Sequence, residues 1–262
     1  MKQKNFLKLL PLLTILFYLG QINAQTVFYT QSFEGDLNTG YTSSGVFSDG
    51  SGDYFTLIGN GSDPSGKPSY TNIDGTKYWA AEDTQDTGNP NGSGVSNINI
   101  TGVSITGKTS ISVKGLFASG GKVKFDSSDY IHVYAQVDSG GYTLIGAFES
   151  SGSTNTTFKQ DTNLDGTGDG TLLTSALQEF VFNIATTGDT LDIRIDVFTT
   201  SGDEEVAFDK IEVQGTASSD PTIGFDAATS SQTETDATFN ISIPITVSNY
   251  GTDQIDVSVA VS

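Results

Sequence analysis

The fold is indicated most clearly by the stretch Tyr130-Ile-His-Val-Tyr-Ala-Gln-Val137, Asp138-Ser-Gly-Gly141, Tyr142-Thr-Leu-Ile-Gly-Ala-Phe148. In its first part, small apolar residues alternate with polar or aromatic ones at a period of two, which is typical of a half-buried antiparallel strand. The Asp-Ser-Gly-Gly segment contains residues that favour tight turns, and a second strand-like run follows it. The stretch therefore predicts a β-hairpin with one face in a core and the other turned outward.

The same pattern recurs along the chain, between clusters of Gly, Ser, Asn and Asp. The further predicted strands are Val27–Phe33, Asp53–Leu57, Lys77–Ala81, Ser110–Phe117, Glu179–Ile184, Leu191–Phe198 and Val206–Val213. Only Leu172–Leu177 has a pattern compatible with a helical turn. Many short strands joined by glycine turns predict an all-β fold, and we expect a jelly-roll β-sandwich over residues 25–215.

The N-terminus has the three-part pattern of a secretory signal peptide. Three lysines precede the apolar run Leu9–Leu19, and small residues ending at Ala24 supply a cleavage site. The run is shorter than the roughly 20 residues that a membrane-spanning helix needs, and no later stretch approaches that length. We predict a signal peptide over residues 1–24 and an exported mature chain, either extracellular or at the cell surface.

Composition restricts what the exported chain can do. There is no cysteine, so disulfides cannot stabilise it and thiolate chemistry is excluded. Without the three lysines of the signal peptide, nine basic residues face 31 acidic ones, a formal charge of −22. Such a surface repels nucleic acid and favours cation binding.

Residues 216–221 are small and polar and end in proline, which predicts a linker. Three strand-like runs follow, at Thr222–Phe225, Thr238–Val247 and Asp253–Val261. About 40 residues in three strands bury too little apolar area to fold alone. We expect residues 222–262 to be part of a second β domain that continues beyond Ser262, or a stretch that packs on the first domain.

The segment from Asp161 to Asp169 predicts a calcium loop. Oxygen-bearing side chains stand at positions 1, 3, 5 and 9, Gly166 takes the turn at position 6, and a carbonyl is available at position 7. These five oxygen donors are Asp161, Asn163, Asp165, Thr167 and Asp169. Position 12 is Leu172 instead of glutamate, which argues against a helix–loop–helix sensor. The alternative is a solvated Asp/Gly turn without metal.

Four segments together resemble a known group of modules: Gln31-Ser-Phe-Glu34-Gly, Lys77-Tyr-Trp-Ala-Ala-Glu-Asp83, the Asp161–Asp169 loop, and Gly202-Asp-Glu-Glu-Val-Ala-Phe-Asp209-Lys-Ile-Glu-Val. Their order resembles the N-terminal jelly-roll modules of large secreted proteins from Bacteroidetes-type bacteria, and more distantly calcium-containing carbohydrate-binding modules. The resemblance implies a second calcium site shared by Glu34 and Asp209, with Asp83 or Asp203 as further contributors. The tail from Pro221 to Ser248 resembles the opening strands of a Calx-beta-like domain.

A candidate ligand face lies on the predicted hairpin. Alternation places four polar or aromatic side chains on one side of the first strand. They are Tyr130, His132, Tyr134 and Gln136. Arg194, the chain's single arginine, is on a strand of similar pattern and suits ligand hydroxyls or carboxylates. Aromatic rings with polar tips can bind sugar, whereas the alternative is cross-strand pairing on a face without ligand.

The chain has little that indicates catalysis. His132 is its only histidine, and no nucleophile elbow is present. A glycosidase needs only two carboxylates, for which Glu82, Glu149, Glu204 and Glu205 are conceivable. We therefore expect a non-catalytic, calcium-stabilised module that binds glycan or another extracellular polymer, as an accessory part of a larger modular protein. The alternatives are a structural spacer or adhesion module, or the N-terminal region of a secreted hydrolase or nuclease.

Overall fold

The structure is a computed structural model that describes residues 24–50, 52–218, 222–225 and 245–248. The predicted signal peptide, apart from Ala24, and most of the predicted Calx-beta-like segment lie outside these residues. The described segments form only strands, turns and bends, and none of them is an apolar helix of membrane-spanning length.

Fifteen strands occur in the described segments. They are β1 Thr26–Gln31, β2 Thr42–Ser44, β3 Phe47–Ser48, β4 Tyr54–Ile58, β5 Tyr78–Glu82, β6 Ser96–Ser104, β7 Lys108–Ser119, β8 Tyr130–Val137, β9 Thr143–Ser150, β10 Phe158–Asp161, β11 Gln178–Asn183, β12 Thr190–Phe198, β13 Val206–Ala217, β14 Thr222–Phe225 and β15 Ile245–Ser248. The nine predicted strands between Val27 and Val213 each correspond to one of these. Residues 172–177 form isolated bridges instead of a helical turn.

Two antiparallel sheets make a sandwich, which confirms the predicted fold class. Sheet A has the order β11-β7-β13-β5-β4-β3, with β1 also paired to β13, and sheet B has the order β10-β9-β8-β12-β6-β2. The chain passes repeatedly from one sheet to the other, as in a jelly roll. Strands β14 and β15 pair with each other. Strand β13 runs to Ala217, so the first two residues of the predicted linker belong to it.

The core lies between the sheets and is rich in aromatic rings. Trp79 is fully buried, with its ring 4.7 Å from that of Phe55 and 6.4 Å from that of Phe208. From sheet B, the apolar positions of β8 and β12 point into this core, including Ile131, Val133, Leu191, Ile193 and Ile195. Because side chains alternate along a strand, the intervening residues of β8 and β12 must lie on the outer face of sheet B.

Candidate functional site

The outer face of sheet B brings three of the predicted ligand residues on β8 together with Arg194. In the ladder between β8 and β12, Tyr134 pairs with Arg194 and His132 pairs with Asp196. Tyr142, just before β9, contacts the same arginine. We call the surface made by Tyr130, His132, Tyr134, Tyr142 and Arg194 the aromatic face. Its side chains are half-buried, so each retains some accessible surface.

Arg194 lies against two tyrosine rings. Its guanidinium carbon lies 4.7 Å from the Tyr134 ring centroid and 4.6 Å from that of Tyr142. These distances are within the range of cation–π attraction. Arg194 Nε lies 3.0 Å from Asp196 Oδ1, and both atoms are buried in this ion pair. The guanidinium is thus fixed in place, while 31% of the Arg194 side chain remains exposed.

A short chain of polar contacts positions Tyr134. Its hydroxyl lies 3.2 Å from His132 Nδ1, and His132 Nε2 lies 2.5 Å from Glu149 Oε1. The imidazole also stacks on Tyr130, with ring centroids 4.0 Å apart, and Tyr130 stacks in turn on Phe198 at 5.7 Å. The rings are therefore ordered by their neighbours before any ligand arrives.

The aromatic face is partly desolvated, as its tyrosines show. Burial raises the pKa of Tyr130 to about 12, and the neighbouring Asp196 carboxylate adds to the effect. Burial also raises the pKa of Tyr134 and of Tyr142. All three hydroxyls are protonated at neutral pH, so each has a proton to donate as well as lone pairs that can accept.

Polar residues continue the aromatic face across the sheet. On β6, Asn99 pairs with Arg194 and Asn97 pairs with Asp196 in the β12–β6 ladder. Gln136, predicted as a ligand residue, lies at the far end of β8, where its side-chain amide donates to the carbonyl of Gly140 in the hairpin turn. Gln136 is therefore engaged by its own turn, whereas Asn97 and Asn99 extend the polar surface towards β2.

The sequence did not place Tyr142 on this face, and it offered Glu149 only as a possible glycosidase carboxylate, whereas alternation along β12 puts Asp196 on the same side as Arg194. Strict alternation along the predicted strand from Tyr142 to Phe148 places Tyr142 on the same side as Phe148, which is in the core. The register shifts between Val133 and Tyr134, which pair with Gly146 and Leu144. This β-bulge reverses the facing of the residues before it, and it brings Tyr142 to Arg194. Nothing in the residue pattern marks the bulge except the glycine at 146.

The predicted calcium loop is held by hydrogen bonds among its own residues. Asp161 Oδ1 accepts from the amides of Asn163 and Leu164, at 3.2 and 2.7 Å, and its Oδ2 accepts from Gly166 at 2.8 Å. Asp169 Oδ1 accepts from the amide and hydroxyl of Thr162. These bonds lower the pKa of Asp169. Asp165 accepts from the Asn163 side chain and from the amide of Thr167.

Glu34, three residues past the end of β1, lies near Asp209 on β13, since β1 pairs with β13. Glu34, just after β1, accepts from the amides of Thr76 and Lys77, at 2.9 and 2.7 Å. Asp209 is fully buried and accepts from the amides of Asp74 and Lys210, both at 2.7 Å. Burial, together with the charges of Asp74 and Glu34, raises the pKa of Asp209 to about 7.

Neither predicted calcium site is formed by a cluster of carboxylates alone. In the part of the chain that the structure describes, no three Asp, Glu, His or Cys side chains are grouped so that they could hold one metal ion. A cation at either place would need amide and carbonyl oxygens besides the carboxylates, which calcium accepts. Of the further contributors that the resemblance implied, Asp203 pairs with Lys122 at 2.6 Å. Burial and the like charges of Asp53, Asp86 and Asp129 raise the pKa of Asp83.

The four glutamates that could form a glycosidase pair are all buried: Glu82, Glu149, Glu204 and Glu205. Glu149 contacts His132, Glu204 accepts from Thr200, and Glu205 pairs with Lys122. A cavity of about 410 Å³ opens beside the β8–β9 hairpin, but its lining, which includes Leu144, Leu164 and Ile184, has no ionisable side chain. This cavity therefore offers no acid and base to a substrate.

No protein-family model matches the chain, and no curated protein matches it. Among solved structures, the chain is similar to the Stig cyclase Fisc from Fischerella sp. TAU, at 14% identity over 72% of this chain and 90% of that one, with a TM-score of 0.41. It is also similar to the K2 cleaved adhesin domain of Lys-gingipain, at 14% identity over 74% and 98%, with a TM-score of 0.39. A third is the CBM22-1 xylan-binding domain from Paenibacillus barcinonensis Xyn10C, at 10% identity over 75% and 98%, with a TM-score of 0.36. At these identities and TM-scores, function has to be argued from the residues of this chain.

Proposed function

We propose that the chain is a secreted, non-catalytic module that binds a polysaccharide through the aromatic face. The observation that carries the proposal is Arg194, whose guanidinium carbon lies 4.7 Å and 4.6 Å from the rings of Tyr134 and Tyr142. Arg194 also pairs with Asp196, while 31% of its side chain stays exposed. A rigid donor group flanked by aromatic rings suits a sugar, because rings cover the C–H face of a pyranose and polar tips bind its hydroxyls. We further propose that the module is an accessory part of a larger modular protein.

The aromatic face has the other properties that this function requires. Its rings are packed against one another, so little side-chain entropy is lost when a ligand binds. The asparagines of β6 extend the polar surface along the direction in which a polymer could run. The face lies on the outer side of a sheet and its side chains are half-buried, which fits an extended chain better than a small molecule.

Two alanine variants test the proposal. Arg194→Ala removes the guanidinium, and Tyr142→Ala removes one ring of the stack. Tyr29→Ala is the matched control, because Tyr29 is a half-buried tyrosine on β1 of sheet A. In affinity electrophoresis against a panel of plant, fungal and bacterial polysaccharides, we expect at least one polymer to retard the wild type. Each test variant should lose about tenfold in affinity, equivalent to 1.4 kcal/mol, while the control keeps it. Equal retardation of all four proteins would contradict the proposal.

We also propose calcium at both predicted sites, with Asp161, Asn163, Asp165, Thr167 and Asp169 at one, and Glu34 and Asp209 at the other. The donor chemistry supports it, since all these groups offer oxygen. A fully buried Asp209 beside Glu34 and Asp74 needs a counter-charge or a proton. Melting in calcium and in chelator tests the proposal, because a cation at 100 times its dissociation constant adds about 2.7 kcal/mol. An unchanged midpoint would contradict it.

A second candidate function is a spacer or adhesion module without a small ligand. It is favoured by the contacts that the aromatic side chains already make: Tyr130 stacks on His132, and His132 contacts Glu149. If this function is correct, Tyr130→Ala and Tyr134→Ala alter stability or nothing, and no polysaccharide distinguishes them from the wild type.

A further inference from the structure

The carboxylates around Arg194 bear on the kind of polysaccharide that the aromatic face can accept, an inference that rests on the proposed function. Asp196 keeps 8% of its surface exposed. Its Oδ1 lies 3.0 Å from Arg194 Nε, and both atoms are buried in this ion pair. Outside this contact, the pair offers a ligand the second carboxylate oxygen as an acceptor and the terminal guanidinium nitrogens as donors.

The donor and the acceptor together match a pair of neighbouring hydroxyls. A sugar hydroxyl can accept from an arginine N–H and can donate to a carboxylate. Two hydroxyls on adjacent carbons can therefore satisfy Arg194 and Asp196 at the same time. The rings of Tyr134 and Tyr142 lie 4.7 Å and 4.6 Å from the guanidinium carbon, so they restrict the directions from which a ligand can approach.

The charge of the surroundings argues against an anionic ligand. Asp196 already offsets the charge of Arg194, and both Asp192 and Asp196 lie close enough to act electrostatically on Tyr142. Glu149 lies beside Tyr130 in the ladder between β8 and β9. A uronate or sulfate placed at Arg194 would face these three carboxylates, and like charges at short range in a partly desolvated site repel strongly.

We propose that the aromatic face selects uncharged polysaccharides, with Arg194 and Asp196 binding two adjacent hydroxyls, and that it rejects polyanionic polysaccharides. Asp196 is then the residue that sets specificity, and Asp192 and Glu149 add to the repulsion.

Matched pairs of polymers test this selection on the whole chain. Hydroxyethyl cellulose, guar galactomannan and curdlan are each compared with the carboxymethyl form of the same backbone. We expect the neutral member of a bound pair to bind at least tenfold more tightly at 20 mM NaCl. At 500 mM NaCl the difference should shrink several-fold, because salt shortens the range of repulsion between exposed charges.

Variants separate charge from shape. Asp196→Asn should weaken binding of the neutral polymer and narrow the preference over the carboxymethyl form at least threefold. Asp192→Asn should lower the ratio of the affinities for the neutral and carboxymethyl polymers without weakening binding of the neutral polymer. This variant provides the test if Asp196→Asn does not fold. Glu179→Gln removes an exposed carboxylate from β11 of sheet A and should change neither quantity.

The possible outcomes lead to different conclusions. Tighter or equal binding of the carboxymethyl form would overturn the selection while leaving the proposed function intact. A preference insensitive to both salt and the Asp variants would overturn the electrostatic explanation. If none of these polymers, and none of the wider polysaccharide panel, binds at all, the proposed function fails and this inference falls with it.

Discussion

Replacing Asp209 with asparagine separates the effect of a buried charge from the effect of its hydrogen bonds. Asp209 has no exposed surface, and its two oxygens accept from the amides of Asp74 and Lys210. Burial raises its pKa from 3.8 to about 7. Since the folded state holds this proton more tightly than the unfolded state, its stabilising contribution is present below pH 4 and is lost as the pH rises through 7.

The size of the effect follows from the shift. One pKa unit corresponds to about 1.4 kcal/mol, so a rise of about three units sets a ceiling of about 4 kcal/mol on the stability lost between pH 4 and pH 8. Asparagine cannot ionise, but its NH2 group replaces one acceptor and leaves one backbone amide unpaired, at a cost of about 1–3 kcal/mol. The variant should be less stable than the wild type at pH 5 and similar or more stable at pH 8.

Urea unfolding in chelator at pH 5, 6, 7 and 8 measures this difference. Other buried acids with a raised pKa, such as Glu82 and Glu204, contribute to both proteins and cancel in the comparison. Adding calcium at pH 8 should stabilise the wild type more than Asp209→Asn, because the variant lacks one proposed ligand. If the two proteins lose stability in parallel from pH 5 to pH 8, the reasoning about Asp209 is wrong.

Three further substitutions have expected outcomes that urea unfolding can check. Gly146→Ala should lower stability by about 1–3 kcal/mol, because its Cβ would overlap the Phe182 ring, whereas Gly141→Ala, which meets nothing, should not; equal stabilities would contradict this. Lys122→Met should lower stability by about 1–2 kcal/mol, because the half-exposed Lys122 is the ion-pair partner of the buried Glu205 carboxylate; no loss at pH 8 would count against it. Asp138→Asn should reduce the fall in unfolding free energy at acid pH. Hydrogen bonds from Thr190 and Asp189 lower the pKa of Asp138, and the stabilisation that they give is lost as the pH falls. An equal fall in the variant and the wild type would refute this.

The strands were predictable where two apolar faces meet in a core. Alternation located β8, β12 and β13 because their inward residues are Ile, Val, Leu and Phe, which favour strands. Strand β6 was missed, although Ile98 and Ile100 point into the core. Its outward positions include Asn97 and Asn99, and asparagine is depleted in strands, so the segment has the composition of a turn.

The candidate site was predictable only in part. The residues of β8 share a face because alternation is local. The pairing of β1 with β13, which brings Glu34 near Asp209, agrees with the shared site that the resemblance implied. The place of Tyr142 depends on a bulge in β9. The approach of Arg194 and Asp196 to the residues of β8 depends on the pairing of β8 with β12, which are separated by over 50 residues in sequence. Non-local pairing of this kind has no signature in a single sequence.

The chain's only arginine and only tryptophan allow one direct measurement of the central claim, that a polysaccharide binds at Arg194. In a 1H–15N spectrum the Nε–H of Arg194 and the Nε1–H of Trp79 each give a single side-chain signal. During titration with an oligosaccharide of the polymer retained in affinity electrophoresis, the Arg194 signal should shift in proportion to binding. The Trp79 signal, from a ring buried between the sheets, should stay in place. Saturable binding with an unmoved Arg194 signal would contradict the claim.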